Sequence, residues 1–247
     1  METLKDKVVL ITGCFNQTFV AIAKEFVRLG SIPVIASKRT TLSKELIERE
    51  LAGNDYHVLN EDLDEKENIK KAFNEIISRY GRLDIVINNS EFFYDKKFEE
   101  IELNEWKHSM EKNLKSLYYI SKESFLIMIK QKFGRIVNVI YSSESLIQSI
   151  GQIDLETAKQ GVIGFTKCLA REGAMHNILA NNIIAGFVEN HESTDKFESR
   201  LNDLKKGIPL NRFVKPEEIA NSVLFLSSGL CSFMTGTSLN LTGGIMN

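Results

Sequence analysis

Proline is scarce in this chain, with three residues in 247. No Pro/Gly-rich stretch, repeat or low-complexity tract divides it, so residues 1–247 are expected to form one domain. Cysteine is equally rare. Cys14, Cys168 and Cys231 stand far apart without C-x-x-C spacing, which argues against a disulfide framework and for a reducing, cytoplasmic setting. His57, His108, His176 and His191 show no ligand spacing either, so no metal site is expected. No apolar run approaches the ~20 residues that span a bilayer. The segment Met1 to Lys7 is polar and runs straight into a strand, unlike a signal peptide. A net charge of −2 gives nucleic acid or an anionic membrane no electrostatic hold.

What is present is an alternation. Short runs rich in Val and Ile predict strands at Lys7–Thr12, Ile32–Ser37, His57–Asn60, Leu83–Asn88, Arg135–Ile140, Ile178–Ile184 and Thr237–Leu241. They are mostly apolar on both faces, as buried parallel strands are. Between them, Phe19, Ile22, Ala23, Phe26 and Val27 keep helical spacing, and Gly30 ends that helix. Trp106, Met110, Asn113, Leu114 and Leu117 mark a second helix, and Ala158, Val162, Phe165 and Leu169 a third. Strand and helix alternating with right-handed crossovers give an α/β fold, a doubly wound, mostly parallel sheet of seven strands. Ligands of such sheets bind beyond the carboxyl ends of the strands. Here those ends are Thr12-Gly13, Asn88-Asn89, Tyr141-Ser142 and Ala185-Gly186.

Several segments carry a resemblance across nearly the whole chain: Val8 to Gly13, Asp84 to Asn89, Asn113-Leu114, Gly134 to Val139, Lys159 to Lys167, Pro216 to Ala220 and Gly243-Gly244. In this order and spacing the chain resembles the short-chain dehydrogenase/reductase family, most closely its 3-oxoacyl-carrier-protein reductases and 3-hydroxyacyl-CoA dehydrogenases. The resemblance implies a Rossmann-type fold, an NAD(P) cofactor and a proton-donating Tyr-x-x-x-Lys pair. Fold alone carries no function, so the implied sites stand or fall residue by residue.

The family's nucleotide turn is T-G-x-x-x-G-x-G, and this chain reads Thr12-Gly13-Cys14-Phe15-Asn16-Gln17-Thr18-Phe19. Gly13 survives, while Gln17 and Phe19 replace the second and third glycines, whose absent side chains admit the pyrophosphate. The family's N-N-A-G becomes Asn88-Asn89-Ser90-Glu91, and Glu91 adds bulk and negative charge where a phosphorylated ligand is expected. Asp62 matches the aspartate that touches adenine. Ser37-Lys38-Arg39 lacks an acid for a ribose hydroxyl. In the catalytic set Lys159 is in place, but Leu155 holds the tyrosine's position. Losing one acid–base group typically forfeits ~10²–10⁴ in rate. Asn113 matches the family asparagine. The family serine falls on Ser142 counting back from position 155, or on Tyr141 counting forward from Gly134.

These substitutions predict a pseudoenzyme, with Asn113, Ser142 and Lys159 as remnants of a catalytic set and Gly13, Asp62 and Asn88 as remnants of a cofactor site. No cofactor is expected in this chain. It resembles the inactive subunit of a heteromeric dehydrogenase, such as that of the benzylsuccinate (toluene) pathway, and the resemblance implies a heterotetramer with an active paralogue that holds the NAD(P). Two other functions stay open: an active, atypical oxidoreductase with Tyr141 as acid, and a binding or regulatory module.

Overall fold

The computed structural model describes residues 4–13, 16–37, 41–59, 61, 63, 65–89, 94, 96–141, 151–189 and 198–245. Seven strands form one sheet: β1 (Val8–Gly13), β2 (Ile32–Ser37), β3 (His57–Val58), β4 (Ile85–Asn89), β5 (Gly134–Tyr141), β6 (Ile178–Ala185) and β7 (Ser238–Leu241). Their order is β3-β2-β1-β4-β5-β6-β7, and every pairing is parallel. The order reverses between β1 and β4, which places the ligand crevice of this fold type there. The expected strands are all found, with ends shifted by one or two residues; the predicted Asn60 lies outside the described residues.

Alternate strand residues feed two cores because the pleat has a period of two. Val9, Ile11, Ile35, Ile87 and Val139 meet α1 (Gln17–Arg28), α2 (Thr41–Glu50) and α8 (Pro216–Ser227) on one face. Val8, Leu10, Val34, Val86 and Ile136 meet α3 (Lys66–Tyr80), α5 (Ser116–Gln131) and α6 (Ile153–Gly173) on the other. The remaining helices are α4 (Leu103–Met110) and α7 (Glu198–Lys206). Gly134 opens β5 because a Cβ there would come within 2.2 Å of Met128 Sδ.

One row across this apolar sheet is polar. Thr12, Asn88, Asn138, Asn182 and Ser238 are mutual register partners on β1, β4, β5, β6 and β7. Thr12 Oγ1 donates to Asn88 Oδ1 at 3.3 Å, and Asn88 Nδ2 to Asn138 Oδ1 at 2.7 Å. Asn138 Nδ2 reaches Asn182 Oδ1 at 3.2 Å and Thr166 Oγ1 of α6 at 2.9 Å. Asn182 Nδ2 donates to Ser238 Oγ at 3.2 Å. A one-residue slip would leave these amides facing hydrocarbon, so the row fixes the register.

At the sheet's far edge Arg212 grips Glu218 of α8 through two bonds of 2.7 Å, and the Lys215 N–H donates to the same carboxylate at 2.8 Å. The guanidinium, then the backbone donor, hold the Glu218 carboxyl down at about 2. A depressed carboxylate stabilises the fold above its ordinary titration range and loses that contribution as pH falls toward 2. Both side chains are substantially exposed, so the contribution is below about 1 kcal/mol. Glu218→Gln is expected to melt slightly below the parent at pH 6 and level with it near pH 2. A gap that does not change with pH would contradict the assignment.

Candidate functional site

Four positions that the sequence singles out converge beyond β4 and β5. Asn113, Tyr141, Leu155 and Lys159 line one small cavity with Asn88, Leu117, Asn138 and Val162. Its volume is about 20 Å³, room for little more than one water. Leu155 is 3% exposed and places a hydrocarbon where the resemblance requires a phenol. Lys159 lies one helical turn on, 7% exposed, and its Nζ donates to Glu156 Oε1 at 3.1 Å. The cation that would depress a tyrosine's pKa is thus ion-paired to a glutamate of its own helix.

Asn113 is placed by an irregularity. Residues Glu111–Lys115 form a π-turn between α4 and α5, a form of helical bulge frequent at functional sites. Asn113 Nδ2 donates to the Ser109 carbonyl at 3.0 Å and to Ser109 Oγ at 3.3 Å, bracing the bulge from within. Gly161 lets α6 approach: a Cβ there would meet Leu114 Cδ2 at 3.0 Å. The frame that carries the family's asparagine and lysine is therefore intact, and both side chains have structural partners.

β5 pairs with β6 residue for residue from Gly134↔Ile178 to Tyr141↔Ala185, so the count forward from Gly134 runs along an unbroken strand and ends on Tyr141. Ser142, the other candidate for the family serine, lies outside the described residues. Tyr141 is not a rim tyrosine. It is 4% exposed, and its hydroxyl donates to Asn89 Oδ1 at 2.5 Å.

At the nucleotide turn, Gly13 has φ 107°, a left-handed value that requires glycine. Asn16 caps α1, its Oδ1 accepting from the Phe19 N–H at 2.9 Å. Gln17 begins α1 and is half-buried. Phe19 needs a correction. It was expected to obstruct the ligand, yet it is fully buried in the core with Ile22, Ile35, Ile47 and Leu51. A large apolar ring lowers its free energy more by leaving water than by facing a polar crevice, so it packs into the core instead. Asp62, Glu91, Lys38 and Arg39 lie outside the described residues. Asn88 belongs to the buried polar row.

Four participants are absent from the sequence-based expectations. Glu156 as the partner of Lys159 was legible as an i, i+3 acid–base pair on one helix. Asn138 and Asn182 were legible as amides inside otherwise apolar strands. Asn16 and its contacts depend on three distant segments meeting, which no local pattern reveals. Among the described residues no group of His, Cys, Asp and Glu is arranged to hold a metal, and no helix is long and apolar enough to cross a membrane.

A parallel sheet in this order, with a helix N-terminus at the β1–β4 switch point, is a doubly wound, Rossmann-type frame. Comparison with known proteins agrees. Residues 20–246 match a family model described as enoyl-(acyl carrier protein) reductase. The chain is 38% identical to the 3-oxoacyl-acyl-carrier-protein reductase of Aquifex aeolicus over 245 residues, 98% of each chain. It is 32% identical to an acetoacetyl-CoA reductase from Acinetobacter, over 98% of each chain, and 32% to a Thermotoga maritima 3-oxoacyl-acyl-carrier-protein reductase, over 98% of this chain and 99% of that one. The chain belongs to the short-chain dehydrogenase/reductase family.

Proposed function

We propose that this chain is a non-catalytic subunit of a heteromeric short-chain dehydrogenase, paired with an active paralogue that acts on 3-oxoacyl or 3-hydroxyacyl thioesters. The observation that carries this reading is Leu155: the site's proton donor is replaced by a buried side chain with no proton to give. Its relatives' names supply the substrate class.

The residues at the crevice are a poor fit for a nicotinamide dinucleotide. Asn16 already caps the first turn of α1, where a pyrophosphate would accept. Lys159 is paired with Glu156, and the space beneath Leu155 admits about one water. NAD(P) therefore belongs to the partner subunit, and no step of a reaction is assigned to this chain. The reading with Tyr141 as acid is disfavoured because its hydroxyl donates to Asn89 and its partner cation is engaged elsewhere.

The assembly surface supports the subunit reading. Leu117 and Val162 are buried in the chain's own core, but Trp106, Met110, Leu114, Phe165 and Leu169 remain half-buried. Tyr118 and Leu126 on α5 are 41% and 50% exposed. Apolar side chains left exposed on these helices are an aggregation liability unless a neighbour covers them. Expression with and without the paralogue, followed by native mass spectrometry, is expected to give a mixed tetramer with two copies of each. A stable homo-oligomer that ignores the paralogue and reduces acetoacetyl-CoA alone would refute the proposal.

A further inference from the structure

We propose that Asn16, Asn89 and Tyr141 close the dinucleotide crevice from within, as a side-chain substitute for the ligand that family members hold there. The inference rests on the non-catalytic reading and adds its mechanism. The three residues come from three elements that meet at the switch point: Asn16 caps α1, Asn89 ends β4 and Tyr141 ends β5. Their side chains form a closed ring. The Tyr141 hydroxyl donates to Asn89 Oδ1 at 2.5 Å, Asn89 Nδ2 to Asn16 Oδ1 at 3.5 Å, and Asn16 Nδ2 to the Tyr141 oxygen at 3.4 Å. Asn16 Oδ1 also takes the Phe19 N–H at 2.9 Å, so the ring reaches the α1 backbone.

Position and chemistry both matter. In a doubly wound sheet the phosphates lie over this helix end, accept from its free N–H groups and bridge helix to strands. Here an amide oxygen takes the N–H, and a buried phenol ring lies across the crevice from β5 to β4. A serine at position 141 could neither span that gap nor fill it. A ligand stabilises only the folded state that binds it. A chain without one must hold α1 against β4 and β5 by its own contacts, and this ring is such a contact.

The test uses Tyr141→Phe, which keeps the ring and removes the hydroxyl, alone and combined with Asn16→Ala in the otherwise full chain. Hydrogen exchange should accelerate about tenfold in the first turn of α1, as expected for one buried hydrogen bond, and stay unchanged in α8 and β6. Because Asn16 also caps α1 through the Phe19 N–H, Asn16→Ala alone should accelerate exchange in the same turn, and the double variant should fall short of the product of the two single effects. No local change, a uniform change across the sheet, or fully multiplicative effects would each overturn the closure. Titration of the parent chain with NADH and NADPH separates the two ideas. Binding by the parent defeats the non-catalytic reading. Absence of binding with unaltered exchange in Tyr141→Phe defeats the closure alone.

Discussion

Asn138→Leu is expected to destabilise the fold by about 3 kcal/mol or more, although the two side chains are nearly equal in size. The leucine removes three hydrogen bonds and strands Asn88 Nδ2, which loses its acceptor, while Thr166 Oγ1 and Asn182 Oδ1 keep only the bond they make to each other and the Thr166 bond to the Val162 carbonyl. Each buried group left unsatisfied costs about 1–3 kcal/mol. For a domain of this size that is a fall in Tm of roughly 6–12 °C. Thr166→Val on the same background should add less than it costs alone, because both residues belong to one network. A loss below about 1 kcal/mol, the level of an ordinary substitution, would mean that the polar row is incidental and the register is held by apolar packing.

Leu155→Tyr, the change that restores the family motif, is expected to give a weaker protein and no enzyme. Leu155 is buried against a cavity of about 20 Å³, too small for the extra ring atoms and hydroxyl. Overpacking of this kind costs about 1–3 kcal/mol. The new phenol would also find Lys159 held by Glu156, and the proposed closure at Tyr141 would be untouched. Melting temperature and reduction of acetoacetyl-CoA with each reduced cofactor check both halves. A variant as stable as the parent that turns over above background would show that the site lacked only its acid.

The fold was legible because its strands are the least ambiguous kind. Runs such as Val8 to Ile11 and Ile32 to Ala36 are apolar on both faces, so a two-sided parallel sheet buries them best. Their ends were less legible, since hydrogen-bond partners rather than composition decide whether Tyr141 or Ala185 is still strand. At the site, the loss of the proton donor could be read directly, because Leu155 has no chemistry to misjudge. Phe19 shows the limit. Its place in the motif suggested an obstruction, but an apolar side chain on a helix takes whichever face is drier, and that depends on α2 and β2. The ring of Asn16, Asn89 and Tyr141 was beyond local reading for the same reason: its members are separated by 73 and 125 positions along the chain.

The proposed non-catalytic role turns on whether this chain holds a nicotinamide cofactor, so cofactor binding by the isolated chain tests the account most directly. Calorimetric titration with NAD(H) and NADP(H) should show no saturable heat at cofactor concentrations of about 100 μM, an affinity weaker than roughly −5.5 kcal/mol. A dissociation constant tighter than that for either cofactor would contradict the non-catalytic assignment.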